Sequence, residues 1–341
     1  MRDQAVLDVA VVGAGHLGKI HARVLSEIPG VRLAAVVDTD PAAARAVSHE
    51  RKCAAVSDLA GLPPGIRAAV VATPTLAHHA VASALLDRGV ACLVEKPLAA
   101  SAAEARDLVA RARRARLPLM VGHVERFNPA VVALLERGIR PRFVECHRVS
   151  PFSFRSADVG VVLDMMIHDL DIILHLVDSP VKSVDAVGVG VLGAHEDLAN
   201  VRILFENGAV ANLTASRVAL KTERKMRMFA SNCYVTLDFF KKTGQIIRPT
   251  ERLREKLEGA KASLGTLTPL QVMLQKLLLV EKLEIEEFEP LKREDEEFIA
   301  AVREGRDAQV TGEHGVRALE VAERIGESIR EHLASGEGPD P

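Results

Sequence analysis

The sequence predicts two domains of different class, an α/β domain first and an α+β domain second. Through residue 121, short apolar runs alternate with amphipathic helical patterns, as in a parallel sheet covered by helices on both faces. After residue 122, apolar runs follow one another, and turn signals such as ENG at 206–208 separate several of them. We therefore expect a Rossmann-like doubly wound sheet, then a mostly antiparallel open sheet with helices on one face.

The elements of the first domain, residues 1–121, follow in order. VLDVAVVG predicts a strand, HLGKIHARVLSEI a helix and VRLAAVVD a second strand. A helix is expected over 41–49 and a short strand at CAAV. The pattern continues with strand RAAVVAT, a helix over 75–88, strand ACLVEK, a helix over 101–115 and strand LPLMVGH.

The second domain, residues 122–334, begins with a helix over 160–177. The expected strands are VKSVDAVGVG, LANVRILF, AVANLTASR, KMRMFAS, CYVTLDF and GQIIR. The charge-rich segment 250–290 begins as a helical pattern and fits a lid, an oligomer contact or a solvated insertion. Two amphipathic helices close the domain, and residues 335–341 are expected to be disordered.

Composition excludes several classes of function. A net charge of −2 gives no general affinity for polyanions, and aromatic residues make up only 3%, so we expect no nucleic-acid partner. The four cysteines are far apart and form no CxxC pair, which favours a reduced, cytoplasmic protein over a disulfide framework or zinc site. No signal-peptide pattern or membrane-spanning apolar segment is recognisable, so no membrane partner is expected.

The segment VVGAGHLG contains a G-x-G-x-x-G motif between the first strand and the first helix, the context of a dinucleotide fingerprint. A tight turn at Gly13, close pyrophosphate approach at Gly15 and helix–strand packing at Gly18 are expected, with His16 and Leu17 inside the same turn. A carboxylate at Asp38, 20 residues beyond Gly18, accepts hydrogen bonds from ribose hydroxyls and repels a 2′-phosphate. NAD is therefore favoured over NADP. The alternative is a glycine turn without a ligand.

Two further loops follow strands that run parallel in the predicted sheet. Thr73, Pro74 and His78 come after the fourth strand, and Glu95 and Lys96 end the fifth. Loops at the carboxyl ends of such strands line the cofactor crevice. We expect these residues to contact the cofactor, and the Lys96 ammonium to polarise a hydroxyl or carbonyl. A surface salt bridge is the alternative role for this lysine.

The segment DMMIHDLDIILH, residues 164–175, places polar side chains on an otherwise apolar helix. Asp164, His168, Asp171 and His175 fall on one stripe at spacings of four, three and four. Buried charge requires a partner, so the stripe predicts an acid/base site, a structural polar network or a metal site. The segment alone leaves these three interpretations open.

The chain resembles the glucose–fructose oxidoreductase, inositol dehydrogenase and MocA family. The resemblance rests on GAGHLGKIHARVL, ATPTLAHH, EKPLA, VGHVERFNPA and the helix carrying Asp164 and His168. It implies a nicotinamide cofactor without a metal, catalytic roles for Lys96, Asp164 and His168, and a proton acceptor at His168. Members have a glycine one or two residues before that histidine, where this chain has Ile167 and Met166. Asp171 and His175 are then expected to fix the helix or line the pocket edge.

Three longer segments are VGHVERFNPAV, ANLTASRVALKTERKMRMF and EPLKREDEEFIAAVREGR. They resemble the branch of that family that oxidises the 3-hydroxyl of UDP-linked N-acetylhexosamines in lipid A assembly. The resemblance implies a nucleotide-sugar substrate, with substrate contacts expected from Arg126, Asn128, Asp164, His168 and Arg217. Lys221, Arg224 and Lys225 are further candidates for the diphosphate, and ordinary strand-edge charges are the alternative. The competing functions are a dehydrogenase of free sugars or inositols and, outside enzymes, a cofactor-binding regulatory protein.

An exposed apolar face of the second sheet predicts an assembly of identical chains. Val201, Ile203 and Phe205 share one side of a predicted strand. If helices cover only one face of the sheet, an apolar opposite face exceeds what monomers tolerate. We therefore expect a homodimer or a homotetramer through this sheet.

Overall fold

The computed structural model describes residues 6–152, 159–193, 195–251 and 278–334. The chain divides into two compact units. The first contains Met1–Phe127 and Phe288–Arg324, and the second contains Asn128–Glu287 and Ile325–Pro341. Among the described residues, no helix is both long and apolar enough to cross a membrane.

The described part of the first unit contains a parallel sheet of six strands in the order β3-β2-β1-β4-β5-β6. This is the doubly wound order that the alternating pattern predicts. The strands are β1 (Leu7–Val12), β2 (Val31–Val37), β3 (Ala54–Val56), β4 (Ala68–Val71), β5 (Ala91–Glu95) and β6 (Leu119–Gly122). The crossover helices are α1 (His16–Glu27), α2 (Pro41–Arg51), α3 (Thr75–Asp87) and α4 (Ala102–Ala115).

Local sequence explains where these helices begin. Asp40 caps α2 by accepting from the backbone N–H of Ala42, and Ser101 caps α4 by accepting from that of Glu104. The central strands β4 and β5 are buried along their whole length, as their continuous apolar sequences require. The fold class of this unit is therefore confirmed.

A late segment of the chain completes the first unit. Helix α7 (Pro290–Glu304) packs against α1, and its Glu294 and Asp295 are fully buried. The sequence-based boundaries instead assign all of 122–334 to the second domain. The difference arises because polar side chains of α7 find their partners in the first unit, which sequence pattern does not reveal. The unit boundary falls inside the last helix, α8 (Gly312–Ala334).

The second unit contains a sheet of eight strands within its described residues, ordered β14-β13-β12-β11-β7-β10-β9-β8. All pairs are antiparallel except β7 with β10. The strands are β7 (Phe143–Val149), β8 (Val181–Val189), β9 (Leu198–Phe205), β10 (Val210–Ser216), β11 (Glu223–Phe229), β12 (Tyr234–Asp238), β13 (Thr243–Pro249) and β14 (Leu278–Lys282). Helices α5 (Pro129–Leu135) and α6 (Ile167–Val177) belong to the same unit. The mostly antiparallel sheet is confirmed.

The two faces of this sheet differ sharply in chemistry. Val201, Ile203 and Phe205 are buried on the covered face. The other face is mixed, because charged and amide side chains pair across its strands, as Arg227 does with Glu145 at 3.3 Å, while Val187, Val189 and Phe229 are exposed on it. The open face is thus only partly apolar, and the homodimer or homotetramer stays a prediction.

Two strands are additions to the predicted order. β7 lies inside the sheet between β10 and β11, and β14 forms one edge. β14 falls in the charge-rich segment 250–290, where we expected a helical start. Residues 252–277 of that segment, and the tail 335–341 expected to be disordered, lie outside the described residues.

Candidate active site

The glycine motif forms a sharp turn between β1 and α1. Gly13 has a φ of +102°, and a Cβ there would overlap the carbonyl of Ala72. A Cβ at Gly18 would overlap the carbonyl oxygen of Gly13, so α1 can approach β1 only with glycine here. A Cβ at Gly15 would meet no atom within 4 Å. The two outer glycines thus set the turn, and the middle one faces open space.

This open space lies at the start of α1. Gly15 precedes the helix without a side-chain cap, so the first N–H groups of α1 have no such acceptor. His16 and Leu17 are exposed beside it. A helix N-terminus with available N–H groups binds phosphate, so this turn fits the pyrophosphate of a dinucleotide.

Asp38 lies at the end of β2, next to the glycine turn. Its Oδ2 accepts from the backbone N–H of Ala14 at 2.6 Å, and its Oδ1 accepts from that of Asp40 at 2.8 Å. The side chain is partly exposed, so the carboxylate is held in place and still reachable. Each carboxylate oxygen has two lone pairs, which leaves acceptor capacity for ribose hydroxyls.

The loop after β4 offers a polar atom without a protein partner. Thr73 Oγ1 is buried, and it neither donates a hydrogen bond to nor accepts one from any described residue. Pro74 follows at the start of α3. A buried hydroxyl at the carboxyl end of a Rossmann strand fits a polar group of the cofactor. The glycine turn, Asp38 and Thr73 together fit NAD.

His78, in the first turn of α3, contacts the loops that follow β4 and β5. Its side chain is buried, with Nδ1 2.8 Å from the carbonyl oxygen of Pro97 and Nε2 2.9 Å from that of Thr73. Burial lowers the pKa of His78 below its ordinary value, although both backbone contacts act in the opposite direction. His78 therefore holds the two loops together, and a direct contact to the cofactor stays a prediction.

Glu95 and Lys96 end β5 with contrasting exposure. Glu95 is buried, whereas Lys96 is partly exposed. Glu95 Oε2 accepts from the backbone N–H of Lys96 at 3.2 Å. The buried Glu95 carboxylate thus holds the backbone of Lys96, while solvent or a ligand can reach the lysine side chain.

The polar helix of the second unit begins with a π-helical turn, Val162–Met166, that continues into α6. The backbone N–H of Ile167 bonds to the carbonyl of Val162, five residues earlier. Asp164 lies in this wide turn and His168 in the first turn of α6, and both are partly exposed. π-helical turns occur frequently at functional sites. The turn includes Met166 and ends next to Ile167, the two positions at which the chain departs from the family resemblance described above.

The remaining polar residues of this helix separate by environment. Asp171 is buried and His175 is exposed. Asp169, which is not one of the four residues of the predicted stripe, is buried and accepts two hydrogen bonds from Arg148 of β7, at 2.8 and 2.7 Å. This bidentate pair fixes α6 on the sheet, with His168 next to the anchor.

The predicted substrate residues have structural contacts of their own. Arg126 is 1% exposed, and Asn128 caps α5 by accepting from the N–H of Ala130 at 3.0 Å. Arg217 donates from Nε to Asp197 at 2.6 Å and from Nη1 to the Val159 carbonyl at 2.7 Å. These contacts favour positioning roles, and substrate binding by the three residues stays a prediction. Of the further candidates, Lys221 is exposed, Arg224 is partly buried, and Lys225 pairs with Glu223 at 2.7 Å.

Asp197, the partner of Arg217, is a buried carboxylate that several contacts stabilise in its charged form. Burial favours its neutral form, but the N–H of Leu192, Arg217 and the N–H of Val191 all stabilise the carboxylate. The pKa of Asp197 therefore lies below its ordinary value. The charge is fully partnered, which is the condition for keeping an ion inside a protein.

Two family models match the chain, one in each region. Residues 7–123 match an oxidoreductase family with an NAD-binding Rossmann fold, the GFO/IDH/MocA model. Residues 139–235 match the C-terminal domain model of the same family. The two matches account for the Rossmann sheet and for part of the second sheet.

Individual relatives agree with these models. A UDP-N-acetylglucosamine 3-dehydrogenase of Acidithiobacillus ferrooxidans is 39% identical over 234 residues, which cover 68% of this chain and 74% of that protein. The solved structure of a UDP-N-acetylglucosamine 3-dehydrogenase from that organism superposes with a TM-score of 0.85 and 32% identity, covering 96% of this chain and 99% of that one. An inositol 2-dehydrogenase of Rhizobium meliloti is 26% identical over 338 residues, covering 94% of this chain and 96% of that protein.

Proposed function

Because the chain belongs to the Gfo/Idh/MocA oxidoreductase family, we propose that it is an NAD-dependent dehydrogenase that oxidises the 3-hydroxyl of a UDP-N-acetylhexosamine. UDP-N-acetylglucosamine is the substrate we favour. The observation that carries this choice is the 39% identity over 234 residues to an enzyme of that specificity. The geometry supports the dehydrogenase activity, because Asp164 and His168 are partly exposed and the glycine turn is exposed at Gly15.

The first unit holds the cofactor in this proposal. The N–H groups at the start of α1 bind the pyrophosphate, Asp38 accepts from ribose hydroxyls, and Thr73 Oγ1 bonds a polar group. When bound, NAD accepts the hydride that leaves the sugar carbon. His78 and Glu95 hold the loops that carry Thr73 and Lys96, through the contacts described above.

The proton chemistry belongs to His168, Lys96 and Asp164. The imidazole of His168 accepts the proton of the 3-hydroxyl, a task to which imidazole is suited as a general base near neutral pH. The ammonium of Lys96 donates a hydrogen bond to the same oxygen and stabilises its developing negative charge. Asp164, in the turn before His168, orients the imidazole or contacts the sugar.

A dehydrogenase of inositols is the second candidate. Its support is the R. meliloti inositol 2-dehydrogenase, whose similarity extends over 94% of this chain at lower identity. The same proton acceptor and lysine serve either reaction, since both substrates present a secondary hydroxyl. The two candidates therefore differ only in the groups that recognise the rest of the substrate.

A substrate panel tests the proposal. Purified protein is incubated with NAD and UDP-N-acetylhexosamines, free hexoses or inositols, and NADH absorbance is followed. We expect turnover with UDP-N-acetylglucosamine at a kcat/KM well above that for inositols. Preferred turnover of an inositol would establish the second candidate, and NAD binding without turnover of any panel member would favour a regulatory protein.

Two histidines of α6 provide a matched pair of variants. His168→Ala should lower kcat by ~10²–10⁴-fold, the usual loss when a positioned general base is removed. His175→Ala, on the exposed side of the same helix, should retain wild-type kcat. Lys96→Ala should lose activity like His168→Ala, and both variants should bind NADH normally. Near-full turnover by His168→Ala would place the proton acceptor elsewhere, and chelator-sensitive activity restored by a divalent metal would establish a metal mechanism.

Assembly, location and pathway complete the proposal. We place the protein in the cytoplasm because of its cysteine usage and in lipid A assembly because of the sequence resemblance, and we expect a homodimer or homotetramer. Light scattering at micromolar concentration checks the assembly, and a monomeric mass would contradict it.

A further inference from the structure

A buried histidine lies between two carboxylates inside the first unit. His21, on the inner face of α1, is 0% exposed. Its Nδ1 is 2.8 Å from Oδ1 of Asp295 on α7, and its Nε2 is 2.9 Å from Oε1 of Glu95 on β5. The family resemblance gives no role to His21 or Asp295, and the proposed proton chemistry does not use them.

The geometry determines the charge of this histidine. A neutral imidazole has one N–H and donates once, whereas both nitrogens of His21 face a carboxylate oxygen. Burial alone lowers the pKa of His21, but Asp295 and Glu95 outweigh it and raise the pKa well above the ordinary value. Two hydrogen bonds to carboxylates therefore favour the imidazolium.

The pKa values of the two carboxylates are shifted in opposite directions. Burial raises the pKa of both, but the contacts of Glu95 with His21 and Lys96 leave the Glu95 pKa below its usual range. Asp295 keeps a raised pKa because burial outweighs its contact with His21 and because Glu95 and Glu289 add negative charge nearby. Glu95, the carboxylate with the lowered pKa, is the one next to Lys96.

Glu95 transmits this constraint to the backbone of Lys96. One carboxylate oxygen of Glu95 takes the His21 contact, and the other accepts from the Lys96 N–H at 3.2 Å. Gly122 closes the opposite side, since a Cβ there would lie 3.0 Å from the Glu95 Cα and 3.1 Å from its Oε2. The carboxylate is therefore held from α1, from β6 and from its own strand.

We propose that His21, Asp295 and Glu95 form a positioning relay that fixes Lys96 at the end of β5 for its role at the reacting oxygen. The inference rests on the proposed function of Lys96. Such a buried charged group is costly to keep and must be fully partnered, whereas apolar side chains of similar size fill a core at no such cost. A positioning role explains why charges occupy this part of the core.

Substitutions at the far end of the relay test the proposal. Asp295→Asn and His21→Gln should lower kcat by about 10- to 100-fold, the range expected when a reacting group is displaced by about 1 Å. NADH affinity should change less than threefold, because neither substituted residue belongs to the glycine turn or to the residues expected to contact the cofactor. Gly122→Ala pushes on Glu95 without changing any charge, so it should produce a smaller loss of the same kind even if the other variants fold poorly. Asp107→Asn is the control, because Asp107 pairs with His79 in the same unit at 2.8 Å and is not part of the relay.

A double-mutant cycle separates positioning from general damage. In a Lys96→Ala background, Asp295→Asn should cause no further loss of kcat, since the positioned group is already gone. Additive losses would overturn the relay. If Lys96→Ala alone retains full kcat, the proposed role of Lys96 fails, and that result is distinct from additivity.

A measurement without turnover completes the test. ¹⁵N NMR of the imidazole should show both His21 nitrogens protonated at pH 7.5 in the protein without substrate. A neutral ring would overturn the proposal. The ligand atoms of His21, Glu294 and Asp295 also lie within 4.8 Å of one another, so metal analysis is included. A stoichiometric metal lost in Asp295→Asn would replace the relay with a metal site.

Discussion

Removing the carboxylate of Asp38 should change which nicotinamide cofactor the protein prefers. Asp38→Ala deletes the acceptor for ribose hydroxyls and also the contacts to the N–H groups of Ala14 and Asp40, at 2.6 and 2.8 Å. Asp38→Asn is the matched variant, because its amide oxygen can keep one backbone contact while the charge is lost. The pair separates the effect of charge from the effect of a loosened turn.

The magnitude follows from the two interactions that change. A hydrogen bond to a charged acceptor contributes about 1.5–3 kcal/mol, so Asp38→Ala should weaken NADH about 10- to 100-fold. Two unit charges about 4 Å apart repel by about 4 kcal/mol at an effective dielectric constant of about 20. Because Asp38 is partly exposed, we discount the repulsion of a 2′-phosphate to about 1–2 kcal/mol. The NADH-to-NADPH affinity ratio should therefore fall roughly 100-fold or more in Asp38→Ala, and less in Asp38→Asn.

Cofactor binding can be measured without knowing the substrate. Calorimetric titration gives Kd for NADH and NADPH, and the emission of the reduced nicotinamide serves as a second readout. Melting temperatures confirm that the variants are folded. Equal affinity of the wild type for both cofactors, or an unchanged ratio in both variants, would falsify the assignment of Asp38.

Three further predictions concern stability. Gly18→Ala should weaken NADH binding and cost about 1–3 kcal/mol of unfolding free energy, since its Cβ overlaps the Gly13 carbonyl, and calorimetry checks both. Asp169→Asn should cost about 3–5 kcal/mol in urea unfolding because Arg148 is left buried without its carboxylate, whereas replacing both residues by apolar ones should recover most of the loss. The stabilisation from the His21 imidazolium should be complete below pH ~6.5 and lost as pH rises through the raised pKa of His21 in the folded protein. The difference in melting temperature between wild type and His21→Gln should therefore shrink from pH 6 to 10. A difference that stays constant would contradict the charged ring.

Parts of the site could be predicted because their signals are local. The roles of Gly13 and Gly18 depend on one turn and on the helix that follows it, and the spacing to Asp38 reflects one crossover. The parallel sheet followed from the alternation of apolar runs and helices. In each case the physical constraint acts within about 30 residues, so the sequence carries it directly.

Other features depend on contacts between distant residues. His21 and Asp295 are 274 positions apart, and neither local sequence indicates that the two side chains are in contact. The strand β7 is absent from the predicted order because its inward positions are Val144, Cys146 and Arg148, and the charged third position breaks the apolar alternation. The sequence pattern of α6 likewise gives no sign that Asp169 is the partner of Arg148. Side chains that are explained by a partner cannot be interpreted before the fold supplies that partner.

The late position of α7 in the chain has a consequence for synthesis. His21 leaves the ribosome 274 residues ahead of Asp295, an interval of roughly 15–55 s at bacterial-type elongation rates of about 5–20 residues per second. Once Glu95 has been made, 74 residues after His21, the nascent Rossmann sheet contains an imidazole with only one of its two carboxylates until α7 follows. A premature stop between Glu95 and α7 would leave that defect permanently. If the relay positions Lys96, synthesis of α7 completes the positioning, and products truncated before it lack the fixed lysine even where they bind NAD.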